Sequence, residues 1–255
     1  MSKTCLFLKA AAAACAQEED LIRAHLKGMH VDMETIDWIS AEDFPNRVDG
    51  KKFEIIYLGA HADGMGFGES NGNFYPWEAL AAAICASDCM IPEGTLFLGC
   101  CRGGMKTVAL KILMQCARID YIMGPNWKSK GGDLANAFAT FTRSRVIDGG
   151  EPAKAAVRAT EAAGQMFTCY DRQALEGELE FLKRLQQIAW NQECISANVA
   201  NLRNDLCRLE MELATISAQL GIWNSAPFAV DPFTVDQASE IGGCVPCADD
   251  LTVPS

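Results

Sequence analysis

Over the first two thirds of the chain, short apolar runs alternate with longer stretches of helical periodicity. Thr4–Lys9 reads as a strand and is followed by an Ala-rich turn. In Gln17–Lys27, Leu21, Ile22 and Leu26 mark one helix face, with acids in the first turn and Gly28 at the end. His30–Ile36 alternates as a second strand, and Ser40–Asp49 reads as a short helix or loop. Phe53–Ala60 is a continuous apolar run of strand length that stops at His61 and a glycine-rich loop, Asp63–Asn73. Helix is predicted over Trp77–Ser87, strand over Thr95–Cys100, helix over Met105–Ala117 and a short strand over Tyr121–Met123. A loop, Gly124–Gly132, precedes helices at Leu134–Val146 and Pro152–Ala163, the second with proline in its first turn. Strands alternating with helices predict an α/β domain, a mostly parallel sheet with helices on both faces.

Near Asp171 the pattern changes. Ile195, Val199, Leu202, Leu206, Leu209, Leu213, Ile216 and Leu220 recur at alternating steps of four and three, and Ile188, Leu185 and Phe181 extend this seam backward with Gln192 as its polar interruption. A helix over about 173–220 would be roughly 70 Å long at 1.5 Å per residue. It is either a coiled-coil arm that self-associates through 181–220 or a hairpin broken near Asn191 that packs on itself. Three segments are therefore expected: 1–170, the α/β domain; 171–221, a long helix or helical hairpin; and 222–255, an extended acidic tail without Lys or Arg.

Charge and cysteine content narrow the function classes. A net charge of −11 disfavours nucleic acid as a partner, because phosphate binding needs a basic face. The twelve cysteines sit largely inside apolar runs (Cys5, Cys85, Cys116, Cys207), which fits reduced, buried thiols in a cytoplasmic protein better than a disulfide framework. The only CxxC is Cys244–Cys247, without a second pair at ligand spacing, so neither a metal ion nor a cofactor is expected. Residues 1–17 loosely imitate a signal peptide, but Lys9 interrupts the apolar run. No apolar run reaches the roughly 18 residues that a membrane span needs.

The chemistry concentrates where strands end. Thr95-Leu-Phe-Leu-Gly-Cys-Cys-Arg-Gly-Gly104 is a strand that breaks into a sharp turn with a thiol, and a helix follows. His61 follows a buried strand in the same way, whereas His25 and His30 read as surface and structural residues. In an open parallel sheet, catalytic groups collect at such strand ends. If the two strands are neighbours, a Cys–His dyad suits acyl transfer: the thiolate attacks a carbonyl, imidazole protonates the leaving amine, and backbone N–H groups hold the oxyanion. Cys101 stands at the turn and is the expected nucleophile; Cys100 continues the strand into the sheet. A cysteine phosphatase would need arginine six residues beyond the thiol, where Lys106 or Thr107 stands, and Gly64-Met-Gly-Phe-Gly68 lacks the spacing of a dinucleotide loop.

These residues resemble a known family. Leu-Phe-Leu-Gly-Cys-Cys-Arg-Gly is similar to the caspase pattern of an apolar strand followed by Gln-Ala-Cys-Arg-Gly, and Tyr57-Leu-Gly-Ala-His61-Ala-Asp-Gly to the strand that carries the family's histidine. Gly124-Pro-Asn-Trp127 leading to Asp133, and then Phe138, Phe141, Gly149 and Ala155-Ala-Val157, resemble bacterial caspase-like and CHAT-type peptidases. The resemblance covers about residues 1–170. It implies a caspase-like sheet followed by the long helix, and a cysteine endopeptidase with His61 and Cys101 as the dyad. The N–H groups of Ala62 and Cys101 would form the oxyanion hole, and Asp133 would contact a basic P1 residue. Two departures stand out: Ala62 replaces the glycine after the histidine, and Gly99 occupies the place of the specificity aspartate of metacaspase-like relatives. Asp133 also reads as the N-cap of the next helix. If cleavage follows basic residues, Lys128 and Lys130 are the expected internal sites. The resemblance further implies a regulated effector in prokaryotic anti-phage defence, switched on by a partner or a small nucleotide. The alternative is a catalytically silent scaffold that signals by oligomerising through the C-terminal helix.

Overall fold

The computed structural model describes residues 3–69 and 72–219. The expected tail, the Cys244–Cys247 pair and Leu220 lie outside the described residues. Four consecutive residues of β1 (Lys3–Lys9), Cys5 to Leu8, are buried, as in a strand covered on both faces. Helix α1 (Ala12–Gly28) starts five residues earlier than the periodicity suggests, because the expected Ala-rich turn is itself helical and alanine is the strongest helix former. Its first turn therefore contains no acid. There follow β2 (Val31–Asp37), α2 (Phe44–Val48) and β3 (Phe53–Gly59).

The expected glycine-rich loop is instead a small antiparallel sheet of β4 (His61–Ala62), β5 (Gly66–Gly68) and β6 (Phe74–Pro76). Its glycines serve close approach: a Cβ at Gly66 would overlap the Tyr75 carbonyl oxygen of the paired strand. After α3 (Trp77–Ser87) comes β7 (Met90–Gly99), which begins five residues before the expected Thr95. Pro92 and Gly94 disguise its start, and the β3–β7 register shifts there, from Phe53↔Met90 to Ile55↔Thr95, as a bulge. The rest is α4 (Lys106–Gln115), β8 (Tyr121–Pro125), α5 (Gly131–Thr142) with a π-helical turn at Arg143–Ile147, α6 (Pro152–Ala163), β9 (Phe167–Asp171), a 3-10 turn and α7 (Glu176–Gln219).

The main sheet has the order β2-β1-β3-β7-β8-β9, and all its pairings are parallel except β8–β9. Strand β9 has no counterpart among the expected elements, and it closes the sheet as an antiparallel edge. Alternation divides the core. Leu6, Leu8, Ile56, Leu58, Leu96 and Leu98 pack with Trp77, Leu80, Val108 and Ile112 of α3 and α4. Phe7, Ile55, Tyr57 and Phe97 pack on the other face with Ile22, Leu134, Phe138 and Ala155 of α1, α5 and α6. After β9, the Arg172 guanidinium donates to the carbonyls of Leu113 (3.0 Å) and Cys116 at the C-terminal end of α4, and of Ile119 (2.9 Å) in the segment that follows.

The chain divides into two compact units, Met1–Asn191 and Gln192–Ser255. The expected boundary near residue 170 falls within β9. Helix α7 is unbroken through Asn191, so the hairpin alternative does not form. Leu179 is buried, whereas the described apolar seam residues from Phe181 to Ile216 are each 44–68% exposed. Cys207, expected to be buried, is exposed on this helix, as is Cys194. Among the described residues, no helix is long and apolar enough to cross a membrane.

Candidate active site

The strand order reverses between β1 and β3, and the chain leaves the C-terminal edge of the sheet in diverging directions there. Such edges leave a crevice open to a ligand. Two strands further define the site. Gly59 and Gly99 are register partners on the parallel neighbours β3 and β7. His61 lies two residues beyond Gly59, and Cys101 two residues beyond Gly99. Neighbouring strands run about 4.8 Å apart, so both residues emerge side by side from one edge. His61 is exposed and Cys101 half-buried.

The two adjacent cysteines have different surroundings. Cys100 is buried with Leu98 and Val108, and that burial pushes its thiol well above the ordinary range. Cys101 stands outside the strand, in a tight turn in which Arg102 takes a left-handed φ of 62°. The turn is tied to the end of β8 and the loop after it: Arg102 N–H donates to the Trp127 carbonyl (3.2 Å) and Gly104 N–H to the Pro125 carbonyl (2.8 Å). Gly103 N–H returns to the Cys100 carbonyl (3.2 Å) and Met105 N–H to the Arg102 carbonyl (3.1 Å). These four bonds engage the amides of Arg102, Gly103, Gly104 and Met105. The approach to β8 is so close that a Cβ on Gly104 would overlap the Gly124 carbonyl oxygen.

The hairpin carrying His61 is fastened just as firmly. The Asp63 carboxylate accepts the N–H groups of Met65 (2.6 Å) and Gly66 (3.1 Å). The buried Trp77 donates its indole N–H to the Asp63 carbonyl (3.1 Å), and the Lys111 ammonium donates to the Gly64 carbonyl (3.1 Å). Lys111 belongs to α4, the helix that follows Cys101, so one helix supports both halves of the site. Asp63 N–H donates to the Gly66 carbonyl (3.0 Å), and His61 pairs with Gly68. Bonded and non-bonded pairs alternate in an antiparallel ladder, so Ala62–Phe67 is a non-bonded pair and the Ala62 N–H points away from β5. Extended backbone at Ala62 accommodates a Cβ.

Asp133 is the third residue of α5 and is half-buried. It is not the N-cap: the helix starts at the Gly131–Gly132 pair, and the cap position is Lys130, without a side-chain bond. Lys128, Lys130 and Trp127 are exposed in the loop before it, Trp127 at 68%. Among the described residues, no group of three or more His, Cys, Asp or Glu side chains could hold a metal ion.

One buried acid beside this edge is not evident from sequence patterns. Glu18 of α1 is 5% exposed and accepts the Tyr57 hydroxyl hydrogen. Burial pushes its carboxyl from 4.5 up to about 7, against the pull of the Tyr57 hydrogen bond. Cys15, also facing this carboxylate, is pushed up to about 12, by burial first and Glu18 second. The Tyr57 hydroxyl occupies the space that a side chain on Gly99 would need. The only sequence signal is a tyrosine among the buried residues of a strand whose neighbour ends in glycine.

Gly104→Ala is expected to cost about 1–3 kcal/mol, the range for forcing a group into packed structure. Gly132→Ala, with open space around its Cβ, should stay within about 0.5 kcal/mol. Urea unfolding of the two variants checks the contrast. Glu18 gives a pH prediction. Its folded-state pKa is raised, so its contribution is complete below about 4.5 and is lost as pH rises through about 7. The groups facing it are Tyr57 and Cys15, and its charge also reaches Cys100 on the other face of the sheet. Between pH 4.5 and 8, wild type should lose on the order of 3 kcal/mol relative to Glu18→Gln, at 1.36 kcal/mol per pKa unit. A flat difference in unfolding free energy across that range would contradict this placement of the acid.

No family model matches the chain, and no curated protein matches it.

Proposed function

We propose that the protein is a cysteine endopeptidase of caspase-like, CHAT-type character. The observation that carries this reading is the register of Gly59 with Gly99, which sends His61 and Cys101 out of adjacent parallel strands at one level. In this reading the Cys101 Sγ attacks the peptide carbonyl carbon, and the N–H groups of Cys101 and Ala62 receive the developing oxyanion. The His61 imidazolium gives its proton to the leaving amine as the C–N bond breaks. Water then hydrolyses the thioester, with His61 taking the water's proton and Cys101 leaving as thiolate. In this reading a basic P1 residue would have Asp133 as an acidic contact. The biological role that accompanies the resemblance is a regulated effector in prokaryotic anti-phage defence, switched on by a partner or a small nucleotide.

A second reading, a scaffold signalling by assembly, draws on one observation of its own. The seam of α7 is exposed along its described length at coiled-coil spacing. Apolar residues repeating every three and four positions lose that exposure most completely against a second copy of the same helix. Self-association through 181–220 is compatible with either reading.

Two experiments separate these possibilities. An electrophilic peptide such as an Arg-chloromethylketone should label wild type at Cys101. Cys101→Ala and His61→Ala should each lower kcat/KM on a fluorogenic peptide by at least about 1,000-fold. An inert Cys101 in folded protein would favour the scaffold. For the seam, Leu202→Glu with Leu209→Glu should convert an oligomer to a monomer in sedimentation equilibrium. Wild type that is monomeric at tens of micromolar would exclude assembly through α7.

A further inference from the structure

The two faces of the small sheet β4–β5–β6 carry different side chains. Ala62, Phe67 and Tyr75 are register partners across its three strands, and all three pack into the core. There the Trp38 ring meets those of Phe67 and Tyr75 at 5.3 and 5.8 Å. Side chains alternate along a strand, so the register partners one step away, His61, Gly68 and Phe74, belong to the opposite face. Gly66 and its partner Pro76 share that face. Both glycines are buried, Gly66 under the Phe74 ring, whose Cε1 lies 2.7 Å from where a Cβ on Gly66 would stand. The side chains that this face offers to solvent are therefore His61, Phe74 and Pro76, all exposed. Phe74 is 51% exposed. A single exposed aromatic is ordinary on a protein surface. What distinguishes Phe74 is that it shares a face with the candidate proton donor, with only a glycine of β5 between them.

We propose that this outer face of the hairpin binds the leaving segment of the peptide, and that Phe74 selects an apolar side chain among the first two residues after the scissile bond. The inference rests on the endopeptidase reading and gives it a specificity determinant on the leaving side. In that reading Cys101 keeps the acyl half of the substrate, and His61 hands a proton to the amine that departs. The departing segment thus begins at the imidazole, and its first residues lie along the face on which His61 stands. His61 and Phe74 are two strand spacings apart, roughly 10 Å. An extended chain advances about 3.4 Å per residue, so a side chain on the first or second residue reaches the ring. The Phe74 ring is already fixed from below by Gly66, and an apolar side chain laid on it removes further ring surface from water. A charged side chain there would lose water and find no partner among the three exposed groups of the face except the imidazole that the reaction uses.

The test uses internally quenched peptides built on one cleaved sequence, identical up to the scissile bond and different only in the two residues after it. Wild type should cleave peptides with leucine there with about 10-fold higher kcat/KM than peptides with glycine or glutamate. Phe74→Ala should bring the leucine-to-glycine ratio close to one, and Phe74→Leu should keep most of the preference. Phe74→Lys should favour glutamate over leucine, because it puts a cation at the same exposed place. Each ratio is taken within one protein, so a general loss of activity in a variant does not move it, and the wild-type preference needs no variant at all. Wild-type rates that ignore the residues after the scissile bond would overturn the assignment while leaving the peptidase intact. So would wild-type ratios retained in both Phe74→Ala and Phe74→Lys. If Cys101 takes no peptide electrophile and wild type cleaves nothing, the peptidase reading fails and this inference fails with it.

Discussion

The register between β3 and β7 is the constraint on which the rest depends, and Tyr57 is what holds it. Its ring stacks between Phe7 and Phe97 on the flanking strands, at centroid distances of 5.0 and 5.3 Å, and meets Phe138 of α5 edge-on at 4.8 Å. A one-residue slip would turn Tyr57 to the opposite face of the sheet and break all three contacts. A two-residue slip keeps the face, but the hydroxyl would no longer lie under Gly99, where the missing side chain makes room for it. The aromatic layer therefore fixes which residues of two adjacent strands emerge together. They are His61 and Cys101, each two residues beyond the Gly59–Gly99 pair.

Each residue is then held by backbone rather than by side-chain partners. The Cys101 turn lies against β8 through Gly104 and Gly124, and hydrogen bonds from Arg102 and Gly104 reach the Trp127 and Pro125 carbonyls. The His61 hairpin is bound through carbonyls, to Trp77 of α3 and Lys111 of α4. Because α4 begins just after the Cys101 turn, displacing that helix would disturb thiol and imidazole together. A proposed dyad built this way has little freedom in its main chain, the arrangement expected where N–H groups must meet a developing charge.

How much of this was legible in the sequence follows from the kind of signal each element carries. Strands β1 and β3 and helices α3 and α6 were readable because burial on both faces, or a clean helical stripe, leaves a strong local pattern. The start of β7 was hidden by Pro92 and Gly94, which mark loops except where a bulge accommodates them. Strand β9 was missed because it is short and draws its order from β8, a partner some 45 residues away in the chain. The seam of α7 was plain, and the unbroken helix through Asn191 agrees with it, but the burial expected of Cys207 did not follow from its apolar neighbours. A heptad stripe describes one face of a helix, and Cys207 lies one residue off the seam. At the candidate site, the position of the thiol and the histidine just beyond two strand ends was legible because such residues stand out against apolar runs. Glu18 was not, because its significance is contact with Tyr57 across 39 positions.

The fate of Glu18 comes from where α1 begins. Had the helix started at Gln17, Glu18, Glu19 and Asp20 would have faced the free N–H groups of its first turn and stayed in water. The alanines start it at Ala12, so the three acids fall on the second and third turns, each turned by about 100° from the last. Glu18 points to the sheet and meets Tyr57. Glu19 turns to the flank, where it pairs with Lys9 at 3.3 Å and Arg23 at 2.8 Å. Asp20 is exposed. Only one of the three is thus carried out of water with no counter-charge among the described residues, and it meets β3, the strand next to the one that leads to the Cys101 turn. An alanine run with no chemistry of its own thereby carries an acid into the core, where among the described residues it meets the Tyr57 hydroxyl and no cation, and where burial raises its pKa to about 7 so that a proton can neutralise it.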